Sequence, residues 1–268
     1  MRIIVPIKQV PETSAVKMDE ETGTMVRDGV EAIVNPLDLY AVESAIRLRD
    51  AGVADEIVAL SMGPPKAESA LREVVAMGCD RAVLVSDRAF AASDTWGTSY
   101  VLAATIKKLG GADLVLCGER ATDGDTGQVG PGIAAFLDQP IATYISCIET
   151  VNSDEIIVRR LVEDGYEHLA VTLPAVLTVI KEVADPRLPT LVGKRGARAI
   201  QVEVFSAADL DVDSTLLGLK GSPTRVVKIF RPQVARECEL MVAEDEAGVE
   251  HACDRVMEFL RINNLISY

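Results

Sequence analysis

The chain has 268 residues, 49% of them hydrophobic but only 4% aromatic, and a net charge of −14. This acidity argues against nucleic-acid binding and against an anionic membrane surface, and no segment has the ~20 apolar residues of a transmembrane helix. Five widely spaced cysteines without a C-x-x-C pair, two scattered histidines and no secretory signal predict a cytoplasmic protein with reduced thiols and no metal centre.

The first half of the chain alternates short apolar strands with helices of about a dozen residues. Strands are predicted at residues 2–7, 56–61, 81–85 and 114–117, and helices at 36–51, 65–77 and from Ser93 or Asp94 to 109. Residues 12–34 are polar, with a turn at Thr22-Gly23-Thr24, and predict a small hairpin or an excursion from the domain. This alternation is typical of an α/β fold with a doubly wound, mostly parallel sheet.

The pattern changes after Leu137. Residues 141–148, 155–161 and 168–171 predict antiparallel strands, and strands follow at 175–180 and 201–205. From Ser206 an extended apolar arm precedes a final helix at 244–260, and an arm without strand partners suggests contact with another subunit. We therefore predict a nucleotide-binding domain at 1–205 and an arm with a helix at 206–268.

The stretch from Leu114 to Leu137 is the most informative part of the chain. An apolar strand leads through a polar, glycine-rich turn into an apolar-periodic helix, and open α/β sheets bind ligands at such turns. The free N–H groups at a helix N-terminus attract phosphate. The G-x-x-G-x-G order from Gly127 to Gly132 is neither a dinucleotide fingerprint nor a Walker A loop. The local pattern is therefore compatible with a nucleotide site and with a turn that binds no ligand.

The predicted topology brings more residues to the same place. The carboxyl ends of parallel strands share one edge of a sheet. The residues that follow three of these strands, Lys8-Gln9, Met62-Gly63 and Ala121–Gly132, should therefore border one crevice with the helix start at Asn35–Asp38. Pro36 suits the first turn of that helix and Asn35 suits its N-cap.

A basic segment at 186–198 stands out in an otherwise acidic chain. It carries four positive charges around Leu191. The residues alone favour a solvated loop, whereas an exposed leucine among charges would suggest a docking surface.

Four segments together resemble the beta (small) subunit of electron-transfer flavoproteins, over essentially the whole chain. They are Asn35-Pro-Leu-Asp38 with Ala41-Val-Glu43, the glycine-rich loop Ala121–Pro131, Arg160–Glu167 with Leu173–Thr178, and Asp185-Pro-Arg-Leu-Pro-Thr-Leu191. Their order and spacing make the resemblance specific.

The resemblance implies a Rossmann-like adenine-nucleotide-binding fold with a C-terminal arm around an alpha subunit. It implies FAD at the interface with the alpha subunit and a second adenine nucleotide, AMP or FAD, in the beta subunit. The implied site residues are Pro6, Lys8, Asn35, Pro36, Leu37, Asp38, Met62, Ala121, Thr122, Asp123, Gly124, Asp125, Thr126, Gly127, Gln128, Val129, Gly130, Pro131 and Gly132. The N–H groups of Thr126 to Val129 would meet the phosphates. Either Asp123 or Asp125 would cap the helix or bind a ribose hydroxyl.

The resemblance also implies a docking surface for an acyl-CoA dehydrogenase-type partner at Pro186, Arg187, Leu191, Lys194 and Arg195, with Leu191 as an apolar anchor. Under this reading the protein is an electron carrier without catalytic side chains of its own.

The subtype depends on finer features. Gly124, Thr126, Val129 and Pro131, together with Gly221-Ser-Pro-Thr-Arg225 and Pro186-Arg-Leu-Pro189, are more similar to the electron-bifurcating branch. Leu188 and Gly127 depart from the family pattern. In that branch NADH would reduce the beta-site flavin, and electrons would pass to the alpha flavin and to a low-potential acceptor. We therefore expect a second FAD ahead of AMP. The alternatives are a non-bifurcating carrier with structural AMP and a flavin-free adenine-nucleotide-binding regulatory module.

Overall fold

A nine-stranded sheet organises the first of two units in this computed structural model. The units are Met1–Lys228 and Ile229–Tyr268, and the structure describes residues 1–12, 17–18, 25–26, 32–227 and 240–266. The strands are β1 (Arg2–Pro6), β2 (Gln9–Pro11), β3 (Lys17–Met18), β4 (Met25–Val26), β5 (Ala32–Val34), β6 (Glu56–Met62), β7 (Arg81–Val85), β8 (Leu114–Gly118), β9 (Ile141–Val151), β10 (Glu155–Val162), β11 (Gly165–Thr172), β12 (Ala175–Val179) and β13 (Glu203–Phe205).

In the first half of the chain the helices alternate with these strands, as the sequence predicts. They are α1 (Pro36–Asp50), α2 (Glu68–Met77), α3 (Thr95–Lys108), α4 (Val129–Leu137), α5 (Leu191–Ala199), α6 (Gly218–Gly221) and α7 (Glu246–Ile262). Asp94, rather than Ser93, caps α3, because its side chain accepts a hydrogen bond from the Gly97 amide at 3.0 Å.

The strand order of the main sheet is β11-β10-β9-β12-β8-β1-β6-β7-β13. β1 lies between β8 and β6 and is parallel to both. The chain therefore winds outward from β1 in two directions, which makes the carboxyl end of β1 a topological switch point. The predicted α/β class is confirmed.

The antiparallel strands of the second half belong to the same sheet. β10 is antiparallel to β9 and β11, as predicted, but β9 pairs in parallel with β12. The antiparallel section therefore extends the main sheet at one edge.

Helices cover both faces of the sheet. Ile3 and Val5 of β1 pack in the cluster that contains α1 and α2 residues, whereas Ile4 packs with residues of α3 and α4. Both clusters consist mainly of aliphatic side chains, as the low aromatic content predicts. Because helices cover both faces of the central strands, these strands need apolar residues at successive positions.

The first unit continues beyond the predicted boundary at 205. Leu210 and Leu217 are buried against the α3 face of the sheet, so residues directly after β13 pack on the domain rather than leaving it. α7 lies in the second unit. None of the described helices is both long and apolar enough to cross a membrane.

Candidate functional site

A cleft of about 1030 Å³ lies at the carboxyl ends of β1, β6, β7 and β8. Pro6, Met62 and Gly118, each the last residue of its strand, line it. This is the position in which open α/β sheets bind ligands, because the strand order reverses at β1.

The glycine-rich loop forms one wall and leads into α4. Asp125 and Gly127 have positive φ angles of 55° and 64°, which turn the chain sharply before the helix. Among the described residues, the N–H groups of Thr126 to Val129 donate to no acceptor. Free N–H donors and the positive end of the helix dipole at the start of α4 are features that favour an anion.

Asn35 fixes this loop in place. Its buried side-chain amide donates to the Arg120 carbonyl oxygen and to Asp38 Oδ1, both at 2.9 Å, and its oxygen accepts from the Thr122 amide at 3.1 Å. Its own backbone amide donates to the Lys8 carbonyl oxygen at 2.8 Å. Asn35 therefore joins β1, α1 and the loop, rather than presenting its amide to the cleft.

Asp38 lies in the first turn of α1 and lines the cleft. Its carboxylate accepts from the Lys8 amide at 2.7 Å in addition to Asn35. Burial raises the pKa of Asp38 to about 7, although these hydrogen bonds and the Lys8 ammonium oppose the shift. Gly118 allows this packing, because a Cβ there would collide with Asp38 Oδ1.

The two loop carboxylates have basic partners. Asp123 pairs with Lys8 Nζ at 2.7 Å, and Asp125 pairs with Arg120 Nε at 3.0 Å. Neither caps α4, whose N-cap residue is Gln128, without a side-chain cap bond. Of the two roles expected for one of them, capping the helix is therefore wrong, and binding a ribose hydroxyl stays a prediction. The ion pairs reduce the repulsion that these carboxylates would exert on a phosphate.

The structure brings most of the predicted nucleotide residues together. Those that line the cleft are Pro6, Lys8, Asp38, Met62, Ala121, Gly124, Thr126, Gly127, Gln128, Val129 and Gly130. Those that do not line it are Asn35, Pro36, Leu37, Thr122, Asp123, Asp125, Pro131 and Gly132. Several of the second group support the wall from behind; Gly132, for example, lets α4 approach Ser99 of α3 closely.

The opposite wall was missed by sequence reasoning. It comes from the segment between β7 and α3, from α3 itself and from one later residue, and comprises Ser86, Asp87, Arg88, Phe90, Ala91, Ala92, Ser93, Asp94, Thr95, Thr98, Leu102 and Val226. The rule on strand ends could have found its beginning, because β7 ends at Val85 on the same edge of the sheet. Nothing in the sequence points to Val226.

The basic segment is partly helical, which corrects the prediction of a loop over its whole length. α5 begins at Leu191, and the Thr190 side chain caps it by accepting from the Gly193 amide at 2.9 Å. Leu191, Lys194 and Arg195 are exposed and Pro186 is half-buried. Arg187 differs from the other basic residues, because it binds Glu43 and Asp50 of α1.

Comparison with known proteins gives one consistent family. A model of the electron transfer flavoprotein domain matches residues 22–210. An electron transfer flavoprotein subunit beta from Thermoanaerobacterium thermosaccharolyticum is 46% identical over 257 residues, 96% of this chain and 98% of that protein. Subunit CarD of the caffeyl-CoA reductase-Etf complex of Acetobacterium woodii is 46% identical over 232 residues, 87% and 88% of the two chains. The acryloyl-CoA reductase electron transfer subunit gamma of Anaerotignum propionicum is 40% identical over 266 residues, 96% and 98% of the two chains.

Proposed function

The chain belongs to the electron transfer flavoprotein family, and from this premise we propose that it is the beta subunit of a heterodimeric electron carrier whose cleft binds an adenine nucleotide. One observation supports the proposal above all. The N–H groups of Thr126 to Val129, which donate to no acceptor among the described residues, lie at the start of α4 beside the switch point of a parallel sheet. The donor chemistry fits the phosphates of a nucleotide.

We propose FAD, rather than AMP, as that nucleotide. The cleft volume of about 1030 Å³ is at the upper end of the range for small-molecule sites, roughly 300–1000 Å³. The cleft extends beyond the glycine-rich loop to the wall at 86–98, which leaves room for a group beyond an adenine mononucleotide. AMP as a structural ligand is the second candidate.

When bound, the flavin would supply the redox chemistry, with NADH as electron donor and a low-potential acceptor as one electron sink. The chain's own residues bind and orient it. The amides of Thr126 to Val129 hold the phosphates, Asn35 keeps these amides in position, and Pro6 and Met62 provide apolar contacts that exclude water.

A surface at 186–195, which we name the docking segment, is proposed to bind an acyl-CoA dehydrogenase-type partner. Leu188, Leu191 and Val192 are 86%, 82% and 80% exposed, and Lys194 and Arg195 lie beside them. Apolar anchors within a charged rim are typical of protein interfaces. Two of the relatives are named for CoA-ester reductases, which supports a partner of this class.

We propose that residues 206–268 contact the alpha subunit. In α7, Val249, Val256 and Phe259 are exposed. Their spacing places them on one side of the helix, and an apolar helix face outside a core is typical of a contact with another chain.

The experiment that tests the proposal is a nucleotide count. The heterodimer with its alpha subunit is purified and denatured, and the released nucleotides are quantified by chromatography. We expect two FAD per heterodimer. One FAD with one AMP would support the simple carrier instead, and a complex without flavin would overturn both in favour of a regulatory adenine-nucleotide module.

A further inference from the structure

Arg187 donates three hydrogen bonds to one carboxylate, that of Glu43. Its backbone amide and Nε donate to Glu43 Oε2 at 3.1 and 2.8 Å, and its Nη2 donates to Glu43 Oε1 at 3.1 Å. Nη2 also reaches Asp50 at 2.9 Å. This fork engages the guanidinium and the main chain together, so it fixes the backbone of the docking segment at 187 as well as the side chain.

The Glu43 side chain is only 4% exposed. Burial raises its pKa, but the hydrogen bonds from Arg187 and Arg47 outweigh burial and hold the pKa below its usual value. A buried carboxylate is costly without its partners. The Arg187 guanidinium is therefore held by Glu43 from within the protein, through both Nε and Nη2.

The other end of the docking segment is fixed against α2. Gly193 lies so close to the Ala76 carbonyl oxygen that a Cβ there would collide with it. Arg72 of α2 also donates to the Ala197 and Ile200 carbonyl oxygens, at 2.5 and 3.2 Å. The exposed residues Leu188, Leu191 and Val192 therefore lie between two positions at which the backbone is held. These positions are Arg187 and Gly193.

We propose that Glu43 is a positioning residue for redox-partner docking, and that it acts through Arg187 by holding the apolar group Leu188, Leu191 and Val192 in one geometry. The inference rests on the docking function proposed above. It also replaces the sequence-based role of Arg187 as a docking contact with an internal one. A preformed apolar anchor costs less ordering entropy on association than a mobile one.

The first test measures positioning without a partner. Hydrogen exchange of the Arg187 amide, which donates to Glu43 Oε2, is compared in heterodimers carrying wild-type beta, Glu43→Gln or Asp50→Asn. Asp50→Asn is the matched control, because it removes only the half-exposed partner of the same guanidinium. We expect exchange to increase by about tenfold or more in Glu43→Gln and to change little in Asp50→Asn. Equal exchange in all three proteins would overturn the proposal.

The second test measures docking. An acyl-CoA dehydrogenase that accepts electrons from the wild-type heterodimer serves as the probe, and KM for it is measured with Glu43→Gln, Leu191→Ala and the double variant. We expect KM to rise about tenfold in each single variant, with bound flavin unchanged and kcat little affected. KM of the double variant should be close to that of each single variant, because Glu43 and Leu191 act through the same contact with the partner.

The outcomes separate the two proposals. If Leu191→Ala leaves KM unchanged, the docking function is wrong, and so is the role of Glu43 in it. If Leu191→Ala raises KM but Glu43→Gln does not, positioning by Glu43 is wrong and docking stands. Arg187→Lys, which keeps the charge but loses the fork, replaces Glu43→Gln if the latter does not fold, and the same increase in KM is expected.

Discussion

Asn35 and Thr122 are 87 positions apart in the chain, and the Thr122 amide donates to the Asn35 side-chain oxygen at 3.1 Å. The same side chain holds the Arg120 carbonyl oxygen at 2.9 Å. The geometry of the glycine-rich loop therefore depends on a residue at the start of α1, outside the loop itself.

Replacing Asn35 by alanine should release the loop. The Arg120 carbonyl, the Thr122 amide and Asp38 each lose a partner, and a buried polar group without a partner costs about 1–3 kcal/mol. We expect bound nucleotide to fall and the unfolding free energy to drop by about 2–4 kcal/mol. Nucleotide content and denaturant unfolding measure these effects.

Ser146→Ala provides a control far from the cleft. Ser146 is buried and donates to the Arg159 carbonyl oxygen at 3.0 Å, so this variant also removes a buried hydrogen bond but should keep its nucleotide. Full nucleotide content in Asn35→Ala would contradict the loop-holding role.

Adding a methyl group at Gly130 should displace the start of α4. A Cβ there would lie 2.5 Å from Thr178 Cγ2 of β12. We expect Gly130→Ala to lose about 1–3 kcal/mol of stability, as overpacking does, and to bind nucleotide more weakly. Thermal unfolding and nucleotide titration measure the two effects.

Thr178→Ser should rescue that variant, because serine lacks the colliding Cγ2 but keeps the hydroxyl that accepts from the Tyr144 amide. For thermal unfolding, Gly124→Ala is the matched control in the same loop, since no protein atom lies within 4 Å of the Cβ it would add. A double variant as weak as Gly130→Ala alone would show that this contact is not the cause.

Nucleotide affinity should depend on pH through Asp38. Burial raises its pKa to about 7, and a bound phosphate favours the protonated, neutral form. Affinity should therefore increase as the pH falls through 7, by at most about tenfold per pH unit for one coupled proton. FAD is the appropriate probe, because the phosphate of a mononucleotide itself titrates near pH ~6.

Asp38→Asn should flatten this pH profile. The same shift affects folding: the folded pKa is above the ordinary value of 3.8, so the Asp38 contribution to stability decreases as the pH rises from about 4 to 7. An affinity that falls on acidification, or an identical slope in the variant, would contradict the assignment.

Asp94 should contribute more to stability than an ordinary helix cap. Besides the Gly97 amide, it accepts from the Thr224 amide at 2.9 Å and the Thr224 hydroxyl at 2.8 Å. We expect Asp94→Ala to lower the unfolding free energy by about 2 kcal/mol, against about 1 kcal/mol for Thr190→Ala, which removes a cap alone. Chemical denaturation of the two variants tests this difference.

Thr224→Ala separates the two roles of Asp94, the cap of α3 and the contact with Thr224. It keeps the cap of α3 but loses the hydroxyl contact at the rim of the cleft, and should expose residues 222–227 to faster proteolysis. If Asp94→Ala costs no more than Thr190→Ala, the contact with Thr224 contributes nothing.

The strands and helices of the first half could be predicted from sequence, because their signals are local. The apolar run at Leu114–Cys117 and the cap at Asp94 depend only on neighbouring residues. The edge of the sheet that forms the cleft could also be predicted, since the alternation of strands and helices restricts the possible topologies. β12 was predicted as a strand, but its parallel pairing with β9 depends on a contact that periodicity does not encode.

The roles of individual charged residues could not be predicted. The family resemblance implies a docking role for Arg187, but no local pattern indicates its contact with Glu43, which is 144 positions away. Asp123 and Asp125 were equivalent in sequence, and only the positions of Lys8 and Arg120 distinguish them. Partners distant in the chain decide such roles.

α1 carries Asp38 in the cleft and Glu43 beneath the docking segment. At ~1.5 Å of rise per residue, these side chains are only about 7.5 Å apart along the helix axis. If the proposed functions hold, substitutions in the first turns of α1 that change the ligand preference are expected to affect the recognition of the redox partner as well. Variant libraries for this helix should be screened for both properties at once.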